Sequence, residues 1–166
     1  MRRIALFAAS IALALGVSAG PVAAREPGPT IVEAAIAVNQ STGEFDSLIA
    51  AVVRAGLVDT LSGNRQFTVF APTDAAFVKL FDALGVSSVN DIPVDTLRAV
   101  LLYHVAPGER FSADVVSSDR VRTLSKGFLV PTVYDGTAWI NDARIVMPDV
   151  DVSNGVIHVI DEVLLP

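Results

Sequence analysis

The order of the residue patterns along the chain predicts an α+β fold in a single domain. Apolar residues recur at helical spacing over most of residues 30–105. From Phe111 onward the pattern changes to short apolar runs separated by Gly, Asp and Asn turns, which is typical of strands. Because helices come mainly first and strands mainly last, this order argues against a parallel sheet in which the two alternate.

Residues 1–24 have the pattern of an export signal. Arg2 and Arg3 precede an apolar run at residues 4–17, and Val22-Ala23-Ala24 offers small residues for cleavage, as does Val17-Ser18-Ala19. The apolar run is shorter than the roughly 20 residues of a spanning helix, which disfavours a retained anchor. The paired arginines also fit a twin-arginine route, but the very short basic end favours the general secretory route.

These patterns divide the chain into a signal peptide at residues 1–24, a short linker at 25–29 and one domain at 30–166. We expect the domain to be secreted or periplasmic after the signal peptide is cleaved. The last strand pattern continues to the end of the sequence, so we expect neither a second module nor a carboxyl-terminal anchor.

Charge and cysteine content exclude several classes of function. The chain carries 12 basic and 18 acidic residues, a net charge of −6, and its basic residues do not cluster. An acidic chain without a basic patch is a poor binder of nucleic acid or anionic lipid. The absence of cysteine excludes disulfides, thiol catalysis and cysteine zinc sites.

The first helices are predicted by their caps and their apolar faces. Thr30-Ile31-Val32-Glu33 reads as a capping box, and its helix runs to about Val38. Helical spacing begins again at Phe45, and Gly56 suits the left-handed residue that ends a helix. One more short helical turn is expected at residues 57–61.

A buried strand and two further helices follow. Phe67–Ala71 is short and rich in strand formers, and Pro72 ends it. Thr73 or Asp74 caps the next helix, which Gly85 closes. A further helix begins near residue 93 and ends before residue 107. Its apolar side presents Leu97, Val100, Leu101, His104 and Val105.

The last part of the chain predicts strands and one tight hairpin. Asn154-Gly155 is a strong signal for a two-residue turn, because both residue types tolerate a positive φ. The partner strand after this turn is Val156–Leu164. The other candidate strands are Val121–Leu124, Phe128–Tyr134, Ala138–Ile140 and Arg144–Val152.

The two histidines are predicted to lie in different surroundings. His104 lies on the apolar side of its helix, so we interpret it as a neutral core histidine rather than a base or a ligand. Its expected partners are Asp74, Thr73 or a backbone carbonyl near them. His158 is expected on the exposed face of the hairpin strand.

Three stretches carry a family resemblance: FTVFAPTDAAF at residues 67–77, LLYHV at 101–105 and NGVIHVID at 154–161. In this order and at this spacing they closely resemble the fasciclin domain, a secreted adhesion module. The resemblance extends over about residues 29–166. It implies a fasciclin-like wedge of β-strands packed with several α-helices, in which the strand at residues 67–70 neighbours the last hairpin.

The resemblance also assigns structural roles within these stretches. The motif residues are Thr73, Asp74, Phe77, His104, Asn154 and Gly155. The residues expected to pack in the core are Phe67, Phe70, Phe77, Leu101, Val156, Ile157 and Val159.

Two short motifs are candidates for adhesive contacts by the same resemblance. Tyr103-His104 matches by position a Tyr-His pair of animal relatives that is implicated in integrin binding, although a buried helix face disfavours direct contact. Asp149-Val150 resembles an adhesive Asp-Ile dipeptide, with Val in place of Ile. Pro148 favours an exposed or edge position for it.

No residue pattern indicates an enzyme or a cofactor. Asp149, Asp151 and Ser153 alternate like calcium ligands, but Asn154 holds the position that requires Gly, and strand alternation explains the spacing. Zinc-type spacing, a phosphate loop and a dinucleotide motif are all missing from the sequence. We therefore expect a binding module with no catalytic residue, no metal and no cofactor.

Two functions remain open. The resemblance favours adhesion or interaction with a cell-surface protein, matrix protein or polysaccharide, with self-association as one route to valency. The alternative is a soluble carrier of an apolar small molecule such as a carotenoid, as some single-domain relatives are. Aromatic contacts for such a ligand would come from Phe111, Phe128, Tyr134 and Trp139.

Overall fold

The structure is a computed structural model that describes residues 28–166. The predicted signal peptide and residues 25–27 of the predicted linker lie outside the described residues. Between residues 28 and 166, no helix has the length and apolar character needed to cross a membrane.

Residues 28–166 form six helices and one short 3₁₀ turn, and the caps and apolar spacings of the sequence predict most of them. Thr30 caps the first helix through a complete capping box with Glu33. Thr73 caps the fourth, and Gly85 closes it at a φ of 67°. The helices are α1 (Ile31–Thr42), α2 (Asp46–Arg54), α3 (Val58–Leu61), α4 (Asp74–Leu84), α5 (Val94–Tyr103) and α6 (Ser112–Ser117), with the 3₁₀ turn at Val89–Asp91.

The described part of the chain also contains eight strands, which form one large and one small sheet. The strands are β1 (Phe67–Pro72), β2 (Val105–Pro107), β3 (Val121–Arg122), β4 (Phe128–Leu129), β5 (Pro131–Tyr134), β6 (Thr137–Ile140), β7 (Ala143–Val152) and β8 (Gly155–Ile160). The large sheet has the order β2-β1-β8-β7-β6-β5, and β3 pairs with β4 in the small sheet. Helices and a mixed sheet in one unit confirm the predicted α+β fold.

The centre of the sheet is a parallel pair of strands that are distant in sequence. β1 runs parallel to β8, with Phe67 opposite Gly155 and Pro72 opposite Ile160. The other strand pairs are antiparallel. β8 is therefore covered at both edges, by β1 and β7, and all six of its residues are buried. The predicted proximity of the first strand and the last hairpin is confirmed.

The sheet separates two apolar cores. The larger core lies between the sheet and helices α1 to α5, and it includes Phe77, Leu101, Ile157 and Val159. The smaller core includes Phe70 and lies against α6 and the β3–β4 hairpin. All seven residues predicted to pack in the core are buried.

Several predicted boundaries are wrong. The first helix continues to Thr42 rather than about Val38, and the single strand predicted at residues 128–134 is divided into β4 and β5. The helix at residues 94–103 ends before His104, and residues 105–107 form β2 instead, because the edge of β1 accepts them as an antiparallel strand. Helix α6 lies in a region that the sequence predicted as strands and turns. The last strand ends at Ile160 rather than Leu164.

Candidate functional site

The predicted adhesive dipeptide Asp149-Val150 lies on an irregular, partly open stretch of β7. Pairing between β6 and β7 includes Ala143 and Arg144 only. Beyond that point β7 pairs with β8 alone, and its register shifts twice between Ile145 and Val150. We call residues 146–150 the β7 bulge. The edge position that Pro148 predicted is present in the structure.

The β7 bulge combines apolar and acidic surface. Val146 and Met147 are exposed, Met147 by 50%. The Asp149 side chain is 38% exposed, and Val150 is half-buried. Asp149 has a φ of 60°, a left-handed conformation that is uncommon for a residue with a side chain. This backbone conformation directs the chain out of the regular strand.

Ser112 holds the carboxylate of Asp149. The Ser112 backbone N–H donates to Oδ1 at 2.6 Å, and its hydroxyl donates to Oδ2 at 2.5 Å. Ser112 is the first residue of α6, so the carboxylate also lies at a helix N-terminus. Partial burial raises the pKa of Asp149, but the Ser112 hydrogen bonds and the attraction of His158 outweigh it, and the pKa lies below its ordinary value.

His158 lies directly beneath the β7 bulge. It is 0% exposed, so the prediction that it lies on an exposed strand face is wrong. The reason is that β8 is central in the sheet and the sheet is covered on both faces. Its Nδ1 accepts the Asp149 backbone N–H at 3.1 Å, and its Nε2 lies 3.0 Å from the Arg110 carbonyl oxygen.

The second adhesive candidate, Tyr103-His104, is buried. The Tyr103 hydroxyl donates to the Phe128 carbonyl at 2.8 Å, so its polar end is bound inside the domain. His104 is 2% exposed. This pair can reach a partner only if the core opens.

His104 is a core histidine, but its partners differ from those predicted. Its Nδ1 donates to the Val100 carbonyl at 2.7 Å, and its Nε2 accepts the Leu164 backbone N–H at 2.8 Å. Asp74 instead accepts the Asp46 and Ser47 backbone N–H groups, at the start of α2. His104 ends its own helix at its C-cap, which directs the ring toward the last residues of the chain rather than toward Asp74.

Asn154 connects four segments of the domain. Its side-chain oxygen accepts the Ile31 N–H at 2.8 Å, and its amide donates to the carbonyls of Leu61 and Gly63 at 2.6 Å and 3.1 Å. Its own carbonyl accepts the Phe67 N–H. The predicted turn is displaced by one residue, since the residues between the paired ends Val152 and Gly155 are 153 and 154. Asn154 does not have the positive φ expected of it, whereas Gly155 has a φ of 149°.

The four aromatic residues of the carrier hypothesis do not gather around a cavity. An apolar cavity of about 160 Å³ lies between α1, α2, α3 and the sheet, and none of Phe111, Phe128, Tyr134 and Trp139 lines it. Its lining consists of aliphatic side chains from those elements. Its volume is below the roughly 300 Å³ of the smallest usual ligand pockets.

Between residues 28 and 166, the structure contains no group of three or more His, Asp or Glu side chains that could hold a metal ion. Both buried histidines use their ring nitrogens in internal hydrogen bonds. These contacts are structural, because they occupy both ring nitrogens of each histidine within the domain.

Comparison with known proteins agrees with the fold. The family model described as the fasciclin domain matches residues 43–166. The chain belongs to the fasciclin domain family. Proteins of this family are often extracellular and related to adhesion, their homologues are typically secreted or cell-surface proteins, and the family is generally non-enzymatic.

Two relatives and one solved structure illustrate how far the similarity extends. Protein sll1483 of Synechocystis sp. is 44% identical over 144 residues, which cover 87% of this chain and 77% of that protein. Immunogenic protein MPB70 of Mycobacterium bovis is 33% identical over 156 residues, which cover 87% of this chain and 77% of that protein. A FAS1 domain pair from the insect cell adhesion molecule fasciclin I superposes with a TM-score of 0.69 at 21% identity, covering 84% of this chain and 52% of that one.

Sequence reasoning missed three residues of this fasciclin domain's candidate site. Only the tertiary fold brings Ser112 and His158 to Asp149 and brings Arg110 to His158. No local pattern connects them, because the hydrogen bonds from Ser112 to Asp149 join residues 37 positions apart. A signal was available for His158 alone, since a histidine between Ile157 and Val159 in an unbroken apolar run is typical of a strand buried on both faces.

Proposed function

We propose that this fasciclin domain is a non-enzymatic interaction module outside the cytoplasm, and that it binds a cell-surface protein, matrix protein or polysaccharide through the β7 bulge. The observation that carries the proposal is the exposed acid at Asp149 beside the exposed apolar side chains of Val146 and Met147, on a strand edge that β6 leaves unpaired. Unpaired strand edges and mixed apolar and charged patches are common recognition surfaces.

The export signal and domain boundaries belong to the same proposal. The predicted cleavage after residue 24 delivers the domain at residues 30–166 to the periplasm or the outside of the cell. The capping box at Thr30 supports this boundary, because it provides a helix start that needs no preceding chain. The cell adhesion molecule that shares the fold supports the adhesive role by analogy alone.

Retention on cells tests the proposal. Beads coated with the purified protein are incubated with cells of the source organism and, separately, with its isolated envelope polysaccharide. We expect wild-type beads to be retained and beads carrying Asp149→Asn to be retained several-fold less. Asn tolerates the left-handed backbone at this position and keeps one side-chain oxygen as an acceptor, so the substitution removes the charge without straining the backbone.

An exposed acid outside the bulge provides the matched control. Asp142→Asn removes the same charge from the turn before β7, and it should bind as the wild type does. Equal retention of the Asp149 variant would assign binding to another surface. No retention of the wild type on either material would refute the adhesive function.

A carrier function is not favoured by the cavity. A cavity of about 160 Å³ resembles the engineered apolar cavities of roughly 150 Å³ that bind benzene, far smaller than a carotenoid. The ultraviolet–visible spectrum of protein purified from the source organism checks this, since a stoichiometric pigment would restore the carrier hypothesis.

A further inference from the structure

His158 contacts three separate segments that meet at the β7 bulge. Its Nδ1 accepts the Asp149 N–H, its Nε2 lies 3.0 Å from the Arg110 carbonyl, and its ring stacks on Phe70 with 5.5 Å between centroids. A backbone N–H can only donate, so Nδ1 must be unprotonated and Nε2 must carry the proton. The observed contacts therefore require the neutral imidazole in the Nε2–H tautomer.

The Asp149 carboxylate lies between two alternative partners. In the observed arrangement it accepts two hydrogen bonds from Ser112. Its Oδ1 is also 3.9 Å from Nδ1 of His158. A protonated Nδ1 has no lone pair for the Asp149 N–H, and it presents a charged donor close to the carboxylate instead. A proton added at Nδ1 of His158 therefore breaks the hydrogen bond from the Asp149 N–H and favours an ion pair between His158 and the Asp149 carboxylate.

We propose that His158 is the positioning residue of the β7 bulge, and that a proton taken from solvent by Nδ1 moves the Asp149 carboxylate from Ser112 to the imidazolium. With neutral His158, the bulge is held against β8 and α6 is anchored by Asp149. With charged His158, the Asp149 N–H loses its acceptor and α6 loses its N-terminal carboxylate. The consequence for binding rests on the proposed function, whereas the movement itself is a property of the free protein.

The charge of His158 depends on burial and on the charged groups of the elements packed against it. β7 contains Asp149 and Asp151 at or beside the bulge and Arg144 near its start. The segment before α6 contains Glu109 and Arg110, and β1 contains no charged residue. Burial lowers the pKa of His158, and the opposing effects of the Arg110 hydrogen bond and the Asp149 charge do not cancel it. The bulge is therefore held at neutral pH and released in acid.

Nuclear magnetic resonance of the free protein tests the movement. The ¹⁵N shifts of His158 and the amide exchange of Asp149 and Ser112 are followed from about pH 8 to pH 4. We expect the Nε2–H tautomer at the upper end. As His158 protonates, the two amides should lose roughly tenfold or more of their protection, after correction for intrinsic exchange, while the Val69 amide in β1 stays protected. An Nδ1–H tautomer, or His158 titration without loss of protection, would overturn the proposal.

Two variants separate His158 from its neighbours. In His158→Asn the amide oxygen replaces Nδ1 as an acceptor and does not titrate, so the two amides should stay protected in acid. If the two amides still lost their protection in acid in this variant, the loss would be assigned to protonation of Asp149 itself. Ser112→Ala removes the hydroxyl that donates to the Asp149 carboxylate and leaves the backbone N–H in place. The carboxylate should then pair with His158 more readily, so His158 should protonate at higher pH. An unchanged titration of His158 would contradict the proposal.

Bead retention at neutral and acid pH distinguishes this inference from the proposed function. If the movement of Asp149 and the adhesive function are both correct, wild-type beads should lose retention in acid. Beads carrying His158→Asn should keep it. The Asp149 and Ser112 amides could lose their protection in acid while the beads bind at no pH. That result would establish the movement and refute the adhesive role.

Discussion

The two histidines of the domain are buried in opposite tautomers. His104 donates from Nδ1 and accepts at Nε2, whereas His158 accepts at Nδ1, and its Nε2 faces a carbonyl. The burial of His104 could be predicted because helical spacing is local. The burial of His158 could not be derived from alternation, because it depends on β1 and β7 lying beside β8.

At the residue scale, His104 should make the folded state less stable in acid. Burial lowers the pKa of His104 to about 4, whereas the unfolded chain keeps a value near 6.5. Between these values the unfolded chain binds a proton that the folded chain excludes, so the free energy of unfolding falls as pH falls. The difference corresponds to about 3 kcal/mol. Urea unfolding between about pH 7 and pH 4 measures it.

The control for this prediction is His104→Gln, which can still form hydrogen bonds but does not titrate. Carboxylates such as Glu33 and Asp149, whose pKa values are lowered by folding, also reduce stability in acid. These groups are present in both proteins, so the difference between the two pH profiles isolates His104. Identical slopes would show that His104 is protonated without penalty in the folded protein.

The second prediction at this scale concerns Asn154, whose side-chain amide donates to two carbonyls. Asn154→Asp replaces these donors with a carboxylate that faces the carbonyl oxygens of Leu61 and Gly63. Leaving one buried and one partly buried carbonyl without their donor should lower the free energy of unfolding by about 3 kcal/mol. Denaturant unfolding measures this loss. Asn64→Asp, in an exposed loop, should change stability by less than about 0.5 kcal/mol.

At the element scale, the sequence predicts what local chemistry determines. The caps of α1 and α4 were predicted correctly because Thr30 and Thr73 bond to residues within their own first turn. β2 was predicted as helix because its apolar spacing continues that of α5, and only the edge of β1 makes it a strand. Helix α6 has just one buried apolar residue, Val115, so its pattern carries little helical signal.

The close parallel contact between β1 and β8 leads to the third prediction. A Cβ on Gly155 would lie 1.8 Å from the Phe67 carbonyl oxygen, and the φ of 149° adds backbone strain. Gly155→Ala must separate the two strands, so we expect a loss of about 3 kcal/mol or more, or a failure to fold. Gly85→Ala is the matched control, because that glycine has a φ of 67° and open space around it. It should lose only about 1–2 kcal/mol.

Thermal and denaturant unfolding of both glycine variants measure the difference. If Gly155→Ala and Gly85→Ala lost similar free energies of unfolding, backbone strain alone would explain the need for glycine at position 155. The close approach of β1 would then not be required. A much larger loss for Gly155→Ala would identify the parallel pair as the contact on which the sheet depends.

At the scale of the whole molecule, the candidate site depends on elements from separate parts of the chain. The exposure of Asp149 could be predicted from Pro148 beside it, because proline favours a strand edge. Its anchoring by Ser112 and His158 could not, because these residues lie on α6 and β8, which only the tertiary fold brings to the β7 bulge. The fold therefore converts an irregular strand edge into a positioned surface.

The proposed binding surface, the β7 bulge, occurs once in each copy of the domain, so binding strength should depend on valency. Two copies joined by a flexible linker of about 20 Gly and Ser residues, which spans roughly 25 Å, should dissociate from cells far more slowly than one copy. The gain should reach about 10²–10⁴ where both sites engage at once. A tandem protein with Asp149→Asn in one copy has the same mass but one site, so it should dissociate like the single domain. Measured dissociation rates that are equal for the intact and half-substituted tandems would show that the β7 bulge is not the binding surface.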